Sequence, residues 1–213
     1  MSLSYKILLT KLLDTVWVSE FLDGNIYMRT DKYFAKLESS DLVRADKDED
    51  VDEAWQVKEV SIQDADGKWV PIGGIINPIL HRYGSRENFN LYCMHAIKNT
   101  EDYQFDERNH GFGNTAIIVG NAEEFIRRFK AAAGLVEREL FHGPVTYVKR
   151  NEYHGPMGPF KKFDNYSYQN EFRFALPGGN GEPITLSLGN LRDICIVIPI
   201  TQIPDLQSKT RSQ

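Results

Sequence analysis

Little in this chain can form a cross-link, a membrane span or a familiar cofactor loop. Two of its 213 residues are cysteine, Cys93 and Cys195, far apart and without CxxC or zinc spacing. Free thiols of this kind point to a reducing compartment. No apolar run approaches a membrane span, and Met1–Asp14 lacks the basic end, long apolar core and small-residue cleavage site of a secretory leader. The expected location is the cytoplasm. The patterns GxxxxGK[ST], GxGxxG, HExxH and GxSxG are all missing, which removes the commonest nucleotide-loop, zinc-protease and serine-hydrolase readings. The five histidines (His81, His95, His110, His142 and His154) show no metal-ligand spacing, so no metal is expected. Positive charge is short as well: 25 Lys and Arg stand against 30 Asp and Glu, a net charge of −5. That balance argues against duplex nucleic acid, whose binding is driven by counterion release to basic side chains.

What is present fits an ordinary folded domain. The hydrophobic fraction is 41% and the charged fraction 26%, and a chain this long buries roughly 70% of its unfolded surface. The expectation is one α+β domain over residues 1–206, with a mixed or antiparallel sheet, and a flexible polar tail over 207–213. Roughly seven to nine strands and about three helices are predicted. Tyr5–Leu9 reads as a strand, although Leu12 and Leu13 equally extend a helix. Asp14 caps a helix that Gly24 stops, Asn25–Arg29 is a strand, and Thr30 caps a second helix carrying Tyr33, Phe34 and Leu37 on one face. The runs Val57–Gln63 and Lys68–Ile72 flank Asp64-Ala65-Asp66-Gly67, a hairpin signal with positive φ expected at Asp66-Gly67. Leu91–Ile97 and Thr115–Val119 are apolar enough to be buried strands, and His95 within the first reads as a satisfied core residue. Asn121-x-x-Glu124 is a capping box that opens the third helix. Strands follow at Val145–Lys149, Ile184–Leu188 and Ile194–Ile200.

The stretch Ser39–Glu53 has almost nothing to bury and holds much of the acidity. A solvated acidic loop is the ordinary reading of such a block. A calcium loop is an alternative, since Asp46, Asp48, Asp50 and Asp52 alternate, but it lacks the glycine at the sixth position and Val57 stands at the twelfth. A third reading has Arg44, Asp46 and Glu49 reaching back over a cleft as part of a site.

Pro159–Leu176 is the stretch whose polar face looks chosen. As an extended strand it puts Tyr166, Tyr168, Asn170, Phe172, Phe174 and Leu176 on one face. The other face then carries Ser167, Gln169, Glu171, Arg173 and Ala175, with Lys161 and Lys162 just before it. Residues two apart on a strand are separated by ~6.6 Å on one face, so Gln169 and Glu171 can address neighbouring atoms of one ligand. A glutamate so placed accepts a ribose hydroxyl and stabilises positive charge at an anomeric carbon. The plain alternative is an exposed face on which Glu171 and Arg173 partly neutralise each other.

The runs GNIYMRTDKYFAKLE, RADKDE, NAEEFIRRF and YQNEFR together resemble an uncharacterised family of bacterial and phage cytoplasmic proteins. The strand–helix–strand opening with a late Gln-x-Glu strand is also similar to the ADP-ribosyltransferases. That resemblance implies a site for NAD in which Glu171 is the catalytic glutamate, Gln169 the residue two before it, and Tyr27 the second-strand aromatic. The first-strand position carries Lys6 and Lys11 where the superfamily has Arg or His. The functional expectation is therefore a domain binding a nucleotide-like or phosphate-bearing ligand, with ADP-ribose transfer from NAD as its specific form. Glu171 and Gln169 are the catalytic candidates, and Arg173, Lys162, Tyr27 and Arg44 the ligand-binding ones. The alternative is a non-enzymatic interaction protein, a phage or bacterial defence or counter-defence factor, docking its acidic Asp41–Glu53 surface on a basic protein partner.

Overall fold

The computed structural model describes residues 7–37, 45–73, 77–83, 88–98 and 103–210. Its first part runs β1 (Ile7–Leu13), α1 (Val18–Leu22), β2 (Asn25–Thr30), α2 (Asp31–Lys36), β3 (Glu53–Trp55), β4 (Val60–Gln63), β5 (Trp69–Ile72) and β6 (Ile79–His81). The middle holds β7 (Asn88–Lys98), β8 (Thr115–Val119), α3 (Ala122–Leu135), β9 (Phe141–Pro144) and β10 (Thr146–Val148). The last part is β11 (Gly155–Pro156), β12 (Lys161–Phe163), β13 (Glu171–Gly179), β14 (Ile184–Ser187), β15 (Cys195–Pro199) and α4 (Ile203–Thr210).

Apolar runs in β1, β7 and β8 and the alternation of β13 build the principal sheet, and every pairing in it is antiparallel. Its long path is β9–β13–β7–β1–β8–β15. The eleven-residue β7 has room for two strands on one edge: β1 pairs with it at 95–98, and β2 at Leu91 and Asn90. β14 then adds outside β2. One face of this sheet carries Leu9, Tyr92, Met94, Ile117, Phe172, Phe174 and Leu176, and α3 covers it with Phe125, Phe129, Ala132 and Ala133. The Phe174 ring lies flat on Phe129, with centroids 4.4 Å apart and planes 3° from parallel.

The opposite face is divided. At the β1–β8–β15 end, Leu12, Ile97 and Ala116 pack with Tyr103, Ile200 and Ile203. At the β7–β13 end the inward side chains are polar. A second layer lies over them, made of the segment 45–52, the parallel pair β10–β12 and the small sheet β11–β3–β6. Val51, Ala54, Met157 and Phe163 form its own apolar centre.

The molecule is α+β and strand-rich. The described residues hold four α-helices and four short 3-10 helices, which corrects the expected three. The 3-10 helices, three to six residues long, are too short to show an apolar period. The chain expected as a fraying tail begins inside α4, where Ile203 is fully buried. Gly24 follows α1 with φ +86°, and a Cβ there would lie 2.0 Å from the Gly189 carbonyl oxygen. Only glycine fits.

A second correction concerns Tyr166–Leu176. The strand starts only at Glu171; Asp164–Gln169 is a 3-10 helix, and Asn170 is left-handed with φ +44°. Asp, Asn and Ser side chains compete locally for backbone partners, and Asn tolerates the left-handed region. Asn170 there donates from Nδ2 to the Ala96 carbonyl, 2.7 Å away, while its own carbonyl accepts from Ala96 N. The single polar residue in the aromatic stripe is the turn.

Candidate functional site

Alternation along β13 sends Phe172, Phe174 and Leu176 into the α3-covered core and turns Glu171 and Arg173 to the other face. Across the ladder, His95 is the register partner of Glu171, and Cys93 that of Arg173. β12 is short, and its middle residue Lys162 points inward, 5% exposed. The 3-10 helix returns Gln169 to the same place. From above, the turn at 46–49 supplies Asp46, 2% exposed, and Glu49, 6% exposed. Asp46 fixes this turn by accepting the Asp48 N–H at Oδ1.

The result is one buried ionic network. Arg173 donates from Nε to Glu171 Oε2 at 2.6 Å. Its Nη1 and Nη2 each donate to one oxygen of Glu49, the latter at 2.8 Å, and Nη1 also reaches the Pro159 carbonyl. Lys162 Nζ donates to Gln169 Oε1 at 2.9 Å and to Glu171 Oε1 at 2.8 Å, and lies 3.3 Å from Asp46 and 3.5 Å from Glu49. Tyr166 places its ring 5.0 Å from Lys162 Nζ, and the Tyr147 hydroxyl accepts the Glu171 N–H. Arg173 is the largest fully buried side chain.

Three carboxylates face two cations, so the fully ionised network would carry one excess negative charge. Asp46 absorbs it. Burial, reinforced by Glu49 against the pull of Lys162, raises its pKa to about 6. Burial also opposes ionisation of Glu171, but Arg173 and Lys162 outweigh it and hold that carboxyl down to about 2. For Lys162 burial works against the charge too, yet Glu171 and Glu49 lift it above the ordinary lysine range. Burial pushes the Cys93 thiol up to about 12, with Glu171 adding to the effect, so it is no nucleophile at neutral pH. His95 is held down to about 4 by burial. Its Nδ1–H donates to the Gln169 carbonyl, leaving Nε2 to accept from the Tyr103 hydroxyl. Neutral and doubly partnered, it fixes the 3-10 helix rather than serving as a base.

Gln169, Glu171, Arg173 and Lys162 are therefore brought together as the sequence suggests, and Asp46 and Glu49 join them. Tyr27 is not part of this group. Ile26 and Met28 take the core side of β2, so Tyr27 is 47% exposed, with the Arg29 guanidinium over its ring at 4.8 Å. Arg44 lies outside the described residues.

The acidic block also departs from a solvated loop. Asp48 is buried against Arg150 at 2.6 Å, and Asp50 bonds Arg82. Buried carboxylates need partners, and here the partners come from residues 32 to 124 positions away. Among the described residues, no three His, Cys, Asp or Glu side chains are placed to hold a metal ion, and no helix is long and apolar enough to cross a membrane. Local sequence gave no sign of Tyr147 or of the Asp48–Arg150 pair, because their contacts reach 24 and 102 residues along the chain. No family model, curated protein or solved structure matches the chain.

Proposed function

We propose that this network binds an anionic, nucleotide-like ligand, with ADP-ribose transfer from NAD as the specific chemistry. The observation carrying the reading is the seat of Glu49. A carboxylate sits fork to fork on Arg173 and within 3.5 Å of Lys162, which is how a guanidinium and an ammonium hold phosphate oxygens. A ligand phosphate replaces the Glu49 carboxylate in that seat, and the segment 45–52 moves aside to admit it. Glu171, ionised at all ordinary pH, then accepts a ribose hydroxyl. As the glycosidic bond breaks, the bonding pair leaves with nicotinamide, and Glu171 stabilises the positive charge at the anomeric carbon. An acceptor nucleophile attacks that carbon and releases its proton to solvent, while the Gln169 amide orients the sugar. A thermal-shift series with NAD, ADP-ribose and inorganic pyrophosphate tests this, since a ligand confined to the native state raises its melting temperature. A melting temperature unmoved by all three would overturn the reading.

A second reading, a non-enzymatic interaction protein of the phage or bacterial defence kind, is favoured by one separate observation. The β4–β5 hairpin leaves aliphatic side chains in solvent. Of the Asp41–Glu53 surface expected to dock on a basic partner, Asp46, Asp48 and Glu49 are buried.

A further inference from the structure

The hairpin formed by β4 and β5 pairs with no other strand among the described residues. Its register sets Val60 opposite Ile72 and Ile62 opposite Val70, so these four side chains share one face. Ile62 is 53% exposed, Ile72 42% and Val70 40%. None of the four belongs to an apolar cluster among the described residues. A lone two-stranded ribbon is marginal in water, and three or more strands are needed for independent stability. An aliphatic face left uncovered by the described residues marks an interaction site.

The two edges of the ribbon are not equivalent. The turn places Asp64 N–H on the Lys68 carbonyl and Gly67 N–H on the Asp64 carbonyl, with Gly67 at φ +79°. Only Gly67, not Asp66, takes the positive φ expected of the turn. Counting back from the bonded Asp64–Lys68 pair, Ile62–Val70 and Val60–Ile72 are hydrogen-bonded pairs. Gln63–Trp69 and Ser61–Pro71 are the alternating pairs whose N–H and C=O groups point outward. Proline has no N–H, so Pro71 blocks the outer edge of β5 against strand addition. The outer edge of β4 presents Ser61 and Gln63 with both backbone groups available.

We propose that β4 is a homodimer edge, pairing antiparallel with β4 of a second copy about a two-fold axis at Ile62. In that register Ser61 pairs with Gln63 of the other copy, and both pairs exchange backbone hydrogen bonds. Ile62 packs against its own symmetry mate, and the two ribbons become one four-stranded sheet. Lys58 of each copy falls opposite Asp66 in the turn of the other, with Asp64 beside it. The strand is thus its own complement in apolar contact, hydrogen bonding and charge, as a two-fold contact requires. A foreign strand would have to match all three features.

Sedimentation equilibrium of the full chain across the micromolar range tests this, with two variants. Ser61→Pro removes an N–H from the outer edge only and places its side chain on the face away from Ile62, so the ribbon keeps its own bonds. Ile62→Asp puts like charges face to face at the axis. The expected result is a concentration-dependent dimer for the wild type and monomers for both variants, with unchanged far-UV circular dichroism. A wild type that stays monomeric throughout overturns the proposal. So does a dimer that survives Ser61→Pro, because the contact then lies elsewhere.

Discussion

Arg173 and Glu49, 124 residues apart in the chain, meet fork to fork with their side chains 1% and 3% exposed. Two nitrogens of the guanidinium address the two oxygens of the carboxylate, and the third bonds Glu171. This contact ties the segment 45–52 to the principal sheet. Under the proposed function it also fills the seat of the ligand phosphate.

Removing either partner takes a two-pronged counter-charge from a buried group: Arg173 keeps only Glu171, and Glu49 only Lys162 at 3.5 Å. Arg173→Met and Glu49→Met should each cost about 3–5 kcal/mol in urea denaturation. The double variant should cost clearly less than the sum of the two, because they act on one contact. Strict additivity would show that the pair is not coupled in solution.

The α3-covered core supplies a prediction independent of the network. Phe174 is fully buried against Phe125 and Phe129. Phe174→Ala should lose about 3–5 kcal/mol through the cavity it leaves. A loss under about 1 kcal/mol would place this face of β13 outside the core.

The α3 cap is a smaller term. Asn121 Oδ1 accepts the Glu124 N–H at 3.1 Å, so Asn121→Ala should cost about 1 kcal/mol. The Glu124 carboxylate pairs forward with Arg127 and Arg128 instead of closing the box. Glu124→Gln should therefore affect those exposed pairs and leave the Asn121 cap intact, as a double-mutant cycle between positions 121 and 124 would register.

The sequence was readable where partners are near neighbours along a strand or helix. The cap of α3, the ribbon β4–β5, the alternation of Phe172, Phe174 and Leu176, and the shared face of Glu171 and Arg173 all follow from spacing. It misled where a local polar residue changed the backbone, as Asn170 does by turning left-handed and cutting the aromatic stripe. It was ambiguous where charge met charge at long range. Nothing within 39–53 states whether Asp46 and Glu49 face water or Lys162 and Arg173, because those cations lie more than a hundred residues away.

Acidity links the network to stability with a definite sign. The folded pKa of Asp46, about 6, lies above its ordinary 3.8. Its contribution is full below the ordinary value and is lost as pH rises through about 6. His95 acts the other way: held at about 4 instead of 6.5, it contributes above the ordinary value and loses that contribution as pH falls through about 4. Asp46→Asn removes the first slope alone. Its stability relative to the wild type should rise steadily from about pH 4 to about pH 6 in denaturation series. A flat difference would show that Asp46 is ionised normally.

Isothermal titration of ADP-ribose into the wild type and Arg173→Lys decides whether the Arg173 network is a ligand site. Lysine keeps the charge but cannot offer the two-pronged seat. Saturable binding to the wild type is expected, with an affinity lower by about tenfold or more in the variant and the same far-UV circular dichroism for both. Wild-type protein that takes up neither ADP-ribose nor inorganic pyrophosphate at millimolar concentration would contradict it, and the Arg173–Glu49 contact would then be structural alone.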